Sequence, residues 1–371
     1  MERAGAVPRE IHAMLRLLAV EGLNTRRLRE LLAAHGCASA ILGARSSALG
    51  REFNARARSP DTLGLADAQL RWIEETGTQV LVLGGRGYPE ALTHLADPPP
   101  AVFARGDLSL LDRDIIAIVG TRRCTPYGAD VTRQLATLFA RAGVPVLSGL
   151  ARGIDGIAHV AAIEAAGKTV AVLGTGIDVS YPREHRALQE QIAQEGLVLS
   201  EFAPGTPGLR HHFPGRNRII AVLARGVVVV EAPHGSGALH TADHALDVGV
   251  EVFAVPGPIG RPESMGTNGL MRVGAHIATC GEDVLQELGI ALPPPRVSGP
   301  VVQPTTDQGR ILAALAEEPV LADDLAIRIG LPPAETLALL LELEVAGAVR
   351  RLPGFRFAPV PNVPTVGPAM G

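Results

Sequence analysis

Residues 213–242 read FPGRNRIIAVLARGVVVVEAPHGSGALHTA. Arg216, Asn217 and Arg218 open an apolar helical stretch. A run of valines then leads to Glu231, and Gly235, Ser236 and Gly237 begin another helix. Guanidinium groups are planar, charge-assisted donors that match phosphate oxygens. A Gly-Ser-Gly turn at a helix start turns backbone N–H groups toward the same kind of ligand. Two further segments repeat the theme. In VGTRR, Gly120, Thr121 and Arg122 follow an apolar run. In SGLARGID, Ser148, Gly149 and Gly153 let the backbone approach an anion, and Asp155 sits at a helix start. Each loop alone is equally well read as an ordinary strand-to-helix turn, with Asp155 as a cap. Taken together, with their arginines, they point to phosphate.

These loops need a frame that brings them together. Short β-branched runs recur from about residue 76: TQVLVLG (78–84), DIIAIVG (114–120), VPVLSG (144–149), KTVAVLG (168–174), GLVLSE (196–201), GVVVVEA (226–232) and VEVFAVPG (250–257). They alternate with helical patterns such as 128–142 and 154–166. Near-continuous apolar runs of this kind predict a parallel sheet covered on both faces. The polar segments all follow strand ends, and in an open α/β sheet those ends share one ligand-binding rim. Phe213, with His211 and His212 beside it, would offer that rim a ring for stacking on a base.

Composition narrows the classes. Of 371 residues 47% are hydrophobic and 3% aromatic, so the core is aliphatic, and the length predicts two or three domains. The net charge of −4 excludes a general basic coat, yet the basic charge is focused. Residues 120–152 hold five arginines against one acid, Asp130, and residues 205–225 hold four arginines and no acid. Lys168 is the only lysine, which excludes a Walker A phosphate loop, and Val179 breaks the G-x-G that begins at Gly174, with no full fingerprint elsewhere. Neither an ATPase nor a dinucleotide enzyme is expected, and no cofactor. Cys37, Cys124 and Cys280 have no metal or disulfide spacing. His240 and His244 stand four apart without the glutamate or third ligand of a zinc helix, so no metal is expected. The apolar run 13–20 is too short to span a membrane, and the reading is a cytoplasmic protein.

Six blocks carry a family resemblance: IAIVGTRRCTPYG, LSGLARGIDGIAH, VAVLGTGIDVSYPREHRAL, LSEFAPGTPGLRHHFPGRNRIIAVLA, VVVEAPHGSGALHTADHAL and VFAVPGPIGRPESMGTNGLMRVGA. In this order, over roughly residues 75–285, they resemble the DNA-processing protein A (Smf) family. The resemblance implies an extended Rossmann-like domain that binds single-stranded DNA, forms a homodimer and helps load a RecA-type recombinase in natural transformation. Carried over by motif, the DNA contacts would be Gly120, Thr121, Arg122, Ser148, Gly149, Gly153, Asp155, Arg216, Asn217 and Arg218. Arg216 and Arg218 would hold successive phosphates. His185 departs from the family's YPxxN, and His240 stands where the family has an aliphatic residue.

The expected fold is α/β, an extended Rossmann-like parallel sheet with modules on either side. Residues 1–75 form a helical domain that resembles the family's SAM or helix-hairpin-helix module. Residues 76–290 form the Rossmann-like domain, 291–306 a Pro-rich linker, 307–359 a winged helix and 360–371 a disordered tail. The third helix of the winged module carries Glu335, Glu342 and Glu344 and no basic residue, which opposes entry into a DNA groove. One enzymatic alternative stands: EAPHGSGALHTA resembles the PGGxGTxxE segment of LOG-type phosphoribohydrolases. The nearest acid after that loop is Asp243, out of register for N-glycosidic chemistry, so binding rather than catalysis is expected.

Overall fold

The computed structural model describes residues 6–44, 50–292, 306–315, 320–345, 348–352 and 354–359. The expected tail, and the linker apart from residues 291, 292 and 306, lie outside them. The chain divides into two compact units, Met1–Pro293 and Pro294–Gly371.

The first unit is built on a nine-stranded sheet. Its strands are β1 (Gln79–Val82), β2 (Ala101–Gly106), β3 (Ile116–Val119), β4 (Val146–Ser148), β5 (Thr169–Gly176), β6 (Leu197–Phe202), β7 (Gly226–Val229), β8 (Glu251–Ala254) and β9 (His276–Ile277), in the order β1-β2-β6-β5-β4-β3-β7-β8-β9. From β6 to β9 every pairing is parallel. Alternate residues of these apolar runs feed opposite faces. Ala117, Val119, Val227 and Val229 enter one core, and Ile116, Ile118, Val228 and Val230 enter the other. A strand buried on both faces has no polar position to spare, hence the unbroken valines and isoleucines.

One expectation needs correction. TQVLVLG supplies β1, but β1 pairs antiparallel with β2, and β2 antiparallel with β6. The link from β1 to β2 holds a single helical turn, Glu90–Thr93, rather than a crossover helix, so the second strand runs back along the first. Residues 101–106 follow three prolines and did not read as a strand, although Phe103 is fully buried there.

The helices, numbered along the chain, are α1 (Ala6–Ala19), α2 (Thr25–His35), α3 (Ala38–Gly43), α4 (Arg51–Ala57), α5 (Pro60–Thr76), α6 (Glu90–Thr93), α7 (Pro126–Arg141), α8 (Ile154–Glu164), α9 (Arg186–Glu195), α10 (His212–Leu223), α11 (Gly237–Asp247), α12 (Pro262–Arg272) and α13 (Gly281–Glu287). The amphipathic N-terminal pair appears as α1 and α2, with Asn24 capping α2 by accepting from the Arg27 N–H at 2.8 Å. Leu15 of α1 and Ala66 and Ile73 of α5 pack on Phe103, Leu173 and Val198 of the sheet. The helical region therefore shares a core with the Rossmann-like domain. No helix among the described residues is long and apolar enough to cross a membrane.

The second unit has α14 (Thr306–Leu315), β10 (Val320–Leu321), α15 (Ala322–Ile329), α16 (Pro333–Val345), β11 (Val349–Leu352) and β12 (Arg356–Pro359), with sheet order β10-β12-β11. Ile311, Leu325, Leu340, Val349 and Phe357 form its own core. Three helices and a hairpin in this order make a winged helix.

Candidate nucleic-acid interface

From β3 the chain winds outward through β4, β5 and β6. Helix α10 then carries it back to β7 on the other side of β3, and β8 and β9 extend the sheet that way. After β3 the chain enters α7, whose Leu135 and Phe139 lie on one sheet face; after β7 it enters α11, whose Ala242 and Ala245 lie on the opposite face. The two loops diverge and leave a crevice, as at every such reversal of winding. A pocket of about 480 Å³ lies there. It is lined by 119–123 at the end of β3, Ala151 and Asp155, Arg210, Phe213, Pro214, Arg216 and Asn217 around the start of α10, and 233–238 before α11. The predicted loops do converge.

Their side chains divide into two sets. The inward set holds most of the motif. Ser148 is fully buried and donates to the Ile118 carbonyl at 2.7 Å. The Asp155 Oδ2 accepts from the N–H groups of Gly149 (3.2 Å) and Ala151 (3.4 Å). The anion nest expected at Ser148–Gly149 is thus filled by the protein's own carboxylate. Burial raises the Asp155 pKa, against the pull of Arg216 and these N–H groups. Arg216 lines the pocket yet is only 3% exposed. Its Nη1 donates to the carbonyls of Gly149 (2.8 Å) and Val172. Burial pulls the guanidinium down to about 10, so it stays charged at neutral pH. Asn217 donates from Nδ2 to the Gly237 carbonyl at 3.0 Å. Arg218 turns to Glu201 (2.7 Å) and Asp97 (3.1 Å). Burial lowers its pKa, but these two carboxylates outweigh burial and raise it. Against the expectation that Arg216 and Arg218 hold successive phosphates, both guanidiniums donate inside the fold, Arg216 through Nη1 and Nε and Arg218 to its two carboxylates. Residues two apart in a helix project in different directions and reach different partners.

The outward set is smaller. Arg122 is exposed, and its Cζ lies 5.3 Å from the Phe213 ring centroid, a cation–π contact. The Thr121 N–H is taken by the Glu231 carbonyl at 2.7 Å, while Gly120 and Gly153 serve close packing. Gly153 has φ 74°, and a Cβ there would lie 2.4 Å from the Thr121 carbonyl oxygen, so no other residue fits. Phe213 is half-buried, 5.0 Å from the Tyr181 ring and set against Gly174. His212 stacks on Phe202 at 4.0 Å, which withdraws it from stacking on a base. Gly235 and Gly237 are exposed, and Ser236 caps α11 by accepting from the Ala238 N–H. The Leu239 N–H goes to the Ser236 carbonyl at 3.0 Å, so what this helix start offers a ligand is the exposed Gly235–Gly237 turn. Arg123, Arg210 and His234, not selected from the sequence, also line the pocket and are exposed. Arg210 lies in the acid-free stretch 205–225, and that charge count was the available signal. Arg122, Arg123 and Arg210 form no ion pair among the described residues.

The remaining histidines are placed as ordinary structure. His185 meets the Leu150 carbonyl at 3.0 Å, and His240 lies 3.9 Å from Asp243. No group of three potential metal ligands occurs among the described residues.

A family model described as "DNA recombination-mediator protein A" matches residues 79–289, the sheet and every loop of the pocket. The chain belongs to the DNA recombination-mediator protein A family. A second model, "DprA winged helix domain", matches residues 293–354. Among similar proteins, Protein Smf of Escherichia coli is 38% identical over 78% of this chain and 79% of its own length. DNA processing protein DprA of Streptococcus pneumoniae is 46% identical over 54% of this chain and 71% of its own. The X-ray structure of the S. pneumoniae protein superposes with a TM-score of 0.63 at 35% identity, covering 74% of this chain and 97% of that one. A structure of DNA processing protein A from Helicobacter pylori, described by its single-stranded DNA binding mode, superposes with a TM-score of 0.52 at 33% identity, covering 57% and 95%. Membership places this chain among proteins of DNA processing and recombination.

Proposed function

We propose that this chain binds single-stranded DNA in the switch-point crevice. Phosphates lie against Arg122, Arg123, Arg210 and the exposed Gly235–Gly237 turn before α11, and a base lies near Phe213. One observation carries the reading: three arginines without ion pairs among the described residues and the exposed Gly235–Gly237 turn face one concave pocket. A duplex keeps its phosphates outside and its bases stacked, whereas a single strand can bend into such a pocket. The H. pylori relative's single-stranded DNA binding mode supports the same ligand. Backbone contacts dominate, so sequence preference is small. The test is binding of a 20-nucleotide strand and its blunt duplex to the full chain across a NaCl series. Clearly tighter binding of the single strand is expected, and equal affinity at matched salt overturns the proposal.

From the family reading we further propose that the protein acts as a homodimer and passes the strand to a RecA-type recombinase. Support for self-association lies in the exposed apolar residues Ile259, Met265, Val273 and Ile277. Sedimentation tests it, and a monomer at micromolar concentration would refute it. Catalysis of the LOG type is not proposed. Asp155, the one carboxylate lining the pocket among the described residues, is buried and already accepts two N–H groups.

A further inference from the structure

The Arg216–Asn217 pair lies under the crevice, and its contacts reach both sides of it. Arg216 grips the carbonyl of Gly149, and Asp155 grips the N–H of the same residue, so one residue after β4 is held through both of its flanking peptide groups. The fit is tight enough that a Cβ at Gly149 would lie 2.2 Å from Arg216 Nη2. The Arg216 Nε also donates to Asn217 Oδ1 at 3.3 Å, and the amide of Asn217 holds the carbonyl of Gly237, the first residue of α11. A continuous line of hydrogen bonds therefore runs from the loop after β4, through α10, to the helix start beyond β7. Those loops belong to opposite windings of the sheet, and this line joins them in addition to the backbone bonds that Thr121 makes to Ile154 and Glu231. Arg216 commits Nη1 to two carbonyls and Nε to Asn217, which fixes where its guanidinium sits. It also offsets Asp155, whose bare carboxylate under the pocket would repel phosphate.

We infer that Arg216 and Asn217 are positioning residues, which with Asp155 set the spacing of the DNA-binding loops without themselves meeting a phosphate. The inference rests on the crevice being the single-stranded DNA site. It separates these residues from Arg122, whose contribution is direct charge.

The test compares Arg122→Gln, Arg216→Gln, Asn217→Ala and the double variant Arg216→Gln with Asp155→Asn, in the full chain with a 20-residue oligothymidylate. Arg122→Gln weakens binding and flattens the plot of log K against log salt by about 0.7, the value for one lost single-strand phosphate contact. Arg216→Gln weakens binding roughly tenfold, the scale of a lost buried charged hydrogen bond, with the wild-type slope retained. Adding Asp155→Asn restores part of the loss, because the pocket floor is neutral again. In DNA-free protein, amide hydrogen exchange at residues 149–151 rises in Arg216→Gln, and at 235–238 in Asn217→Ala. A slope reduced by about 0.7 in Arg216→Gln overturns the inference, and so does unchanged exchange in Asn217→Ala, which decides the matter if Arg216→Gln does not fold. Failure of the underlying reading looks different: Arg122→Gln then leaves affinity and slope untouched while exchange still rises in the α10 variants.

Discussion

The loop after β3 and the second turn of α10 each present two arginines near one pocket, and they use them in opposite ways. Arg122 and Arg123 stand exposed with no acid beside them. Arg216 and Arg218 are turned into the fold, one onto backbone carbonyls and the other onto Glu201 and Asp97. The loop has no packing to satisfy on its outer side, so its cations face water and any ligand. The helix must bury Ile219 and Ile220 in the core, and that face brings the neighbouring guanidiniums inward. A positive charge count near a site thus measures ligand affinity only after the buried guanidiniums are subtracted.

The largest effect expected from this contrast is on stability. Arg218→Ala strands Glu201, itself 10% exposed, and should cost about 3–5 kcal/mol of unfolding free energy. Arg122→Ala should stay within about 0.5 kcal/mol. Denaturant midpoints measure both, and equal losses would erase the distinction between the two regions.

Acid should expose the buried network next. His159 is fully buried, its Nδ1 2.6 Å from Thr169 Oγ1. Burial first, then the charges of His185 and Arg216, lower its pKa from 6.5 to about 3. The unfolded chain therefore binds a proton that the folded chain refuses between those values. This contribution is fully present above pH 6.5 and falls by about 1.4 kcal/mol per unit as pH drops toward 3. In His159→Asn that limb of the stability curve should flatten; an unchanged limb would assign acid sensitivity elsewhere.

Phe213 joins the two regions, since it belongs to α10 but meets Arg122. Phe213→Ala should weaken single-strand binding by about 1–3 kcal/mol if a base stacks there. A negligible effect on binding with a clear loss of stability would make the ring an inward residue like Arg216. The smallest effect concerns the winged helix. A chain ending at Leu292 should keep its single-strand affinity, because α16 exposes Glu335 and Glu342 where a DNA-reading helix carries cations. A large loss in folded protein would show a nucleic-acid role for that module.

The amino-acid pattern alone determined much of this protein. Seven apolar runs became seven strands of the sheet, because residues buried on both faces admit little else. The loops after those runs met at one rim because strand polarity leaves them nowhere else to go. What could not be read was direction at the margins. The segment 101–106 is short and follows three prolines, and its antiparallel pairing with β6 depends on a partner almost a hundred residues away. The same holds for the side chains of the site. Arg122 and Arg216 are the same residue type in similar polar settings, and sequence spacing assigns both to phosphate. Only tertiary packing decides which of them meets solvent, because it alone puts the carbonyls of Gly149 and Val172 within reach of Arg216 and fills the first nest with Asp155.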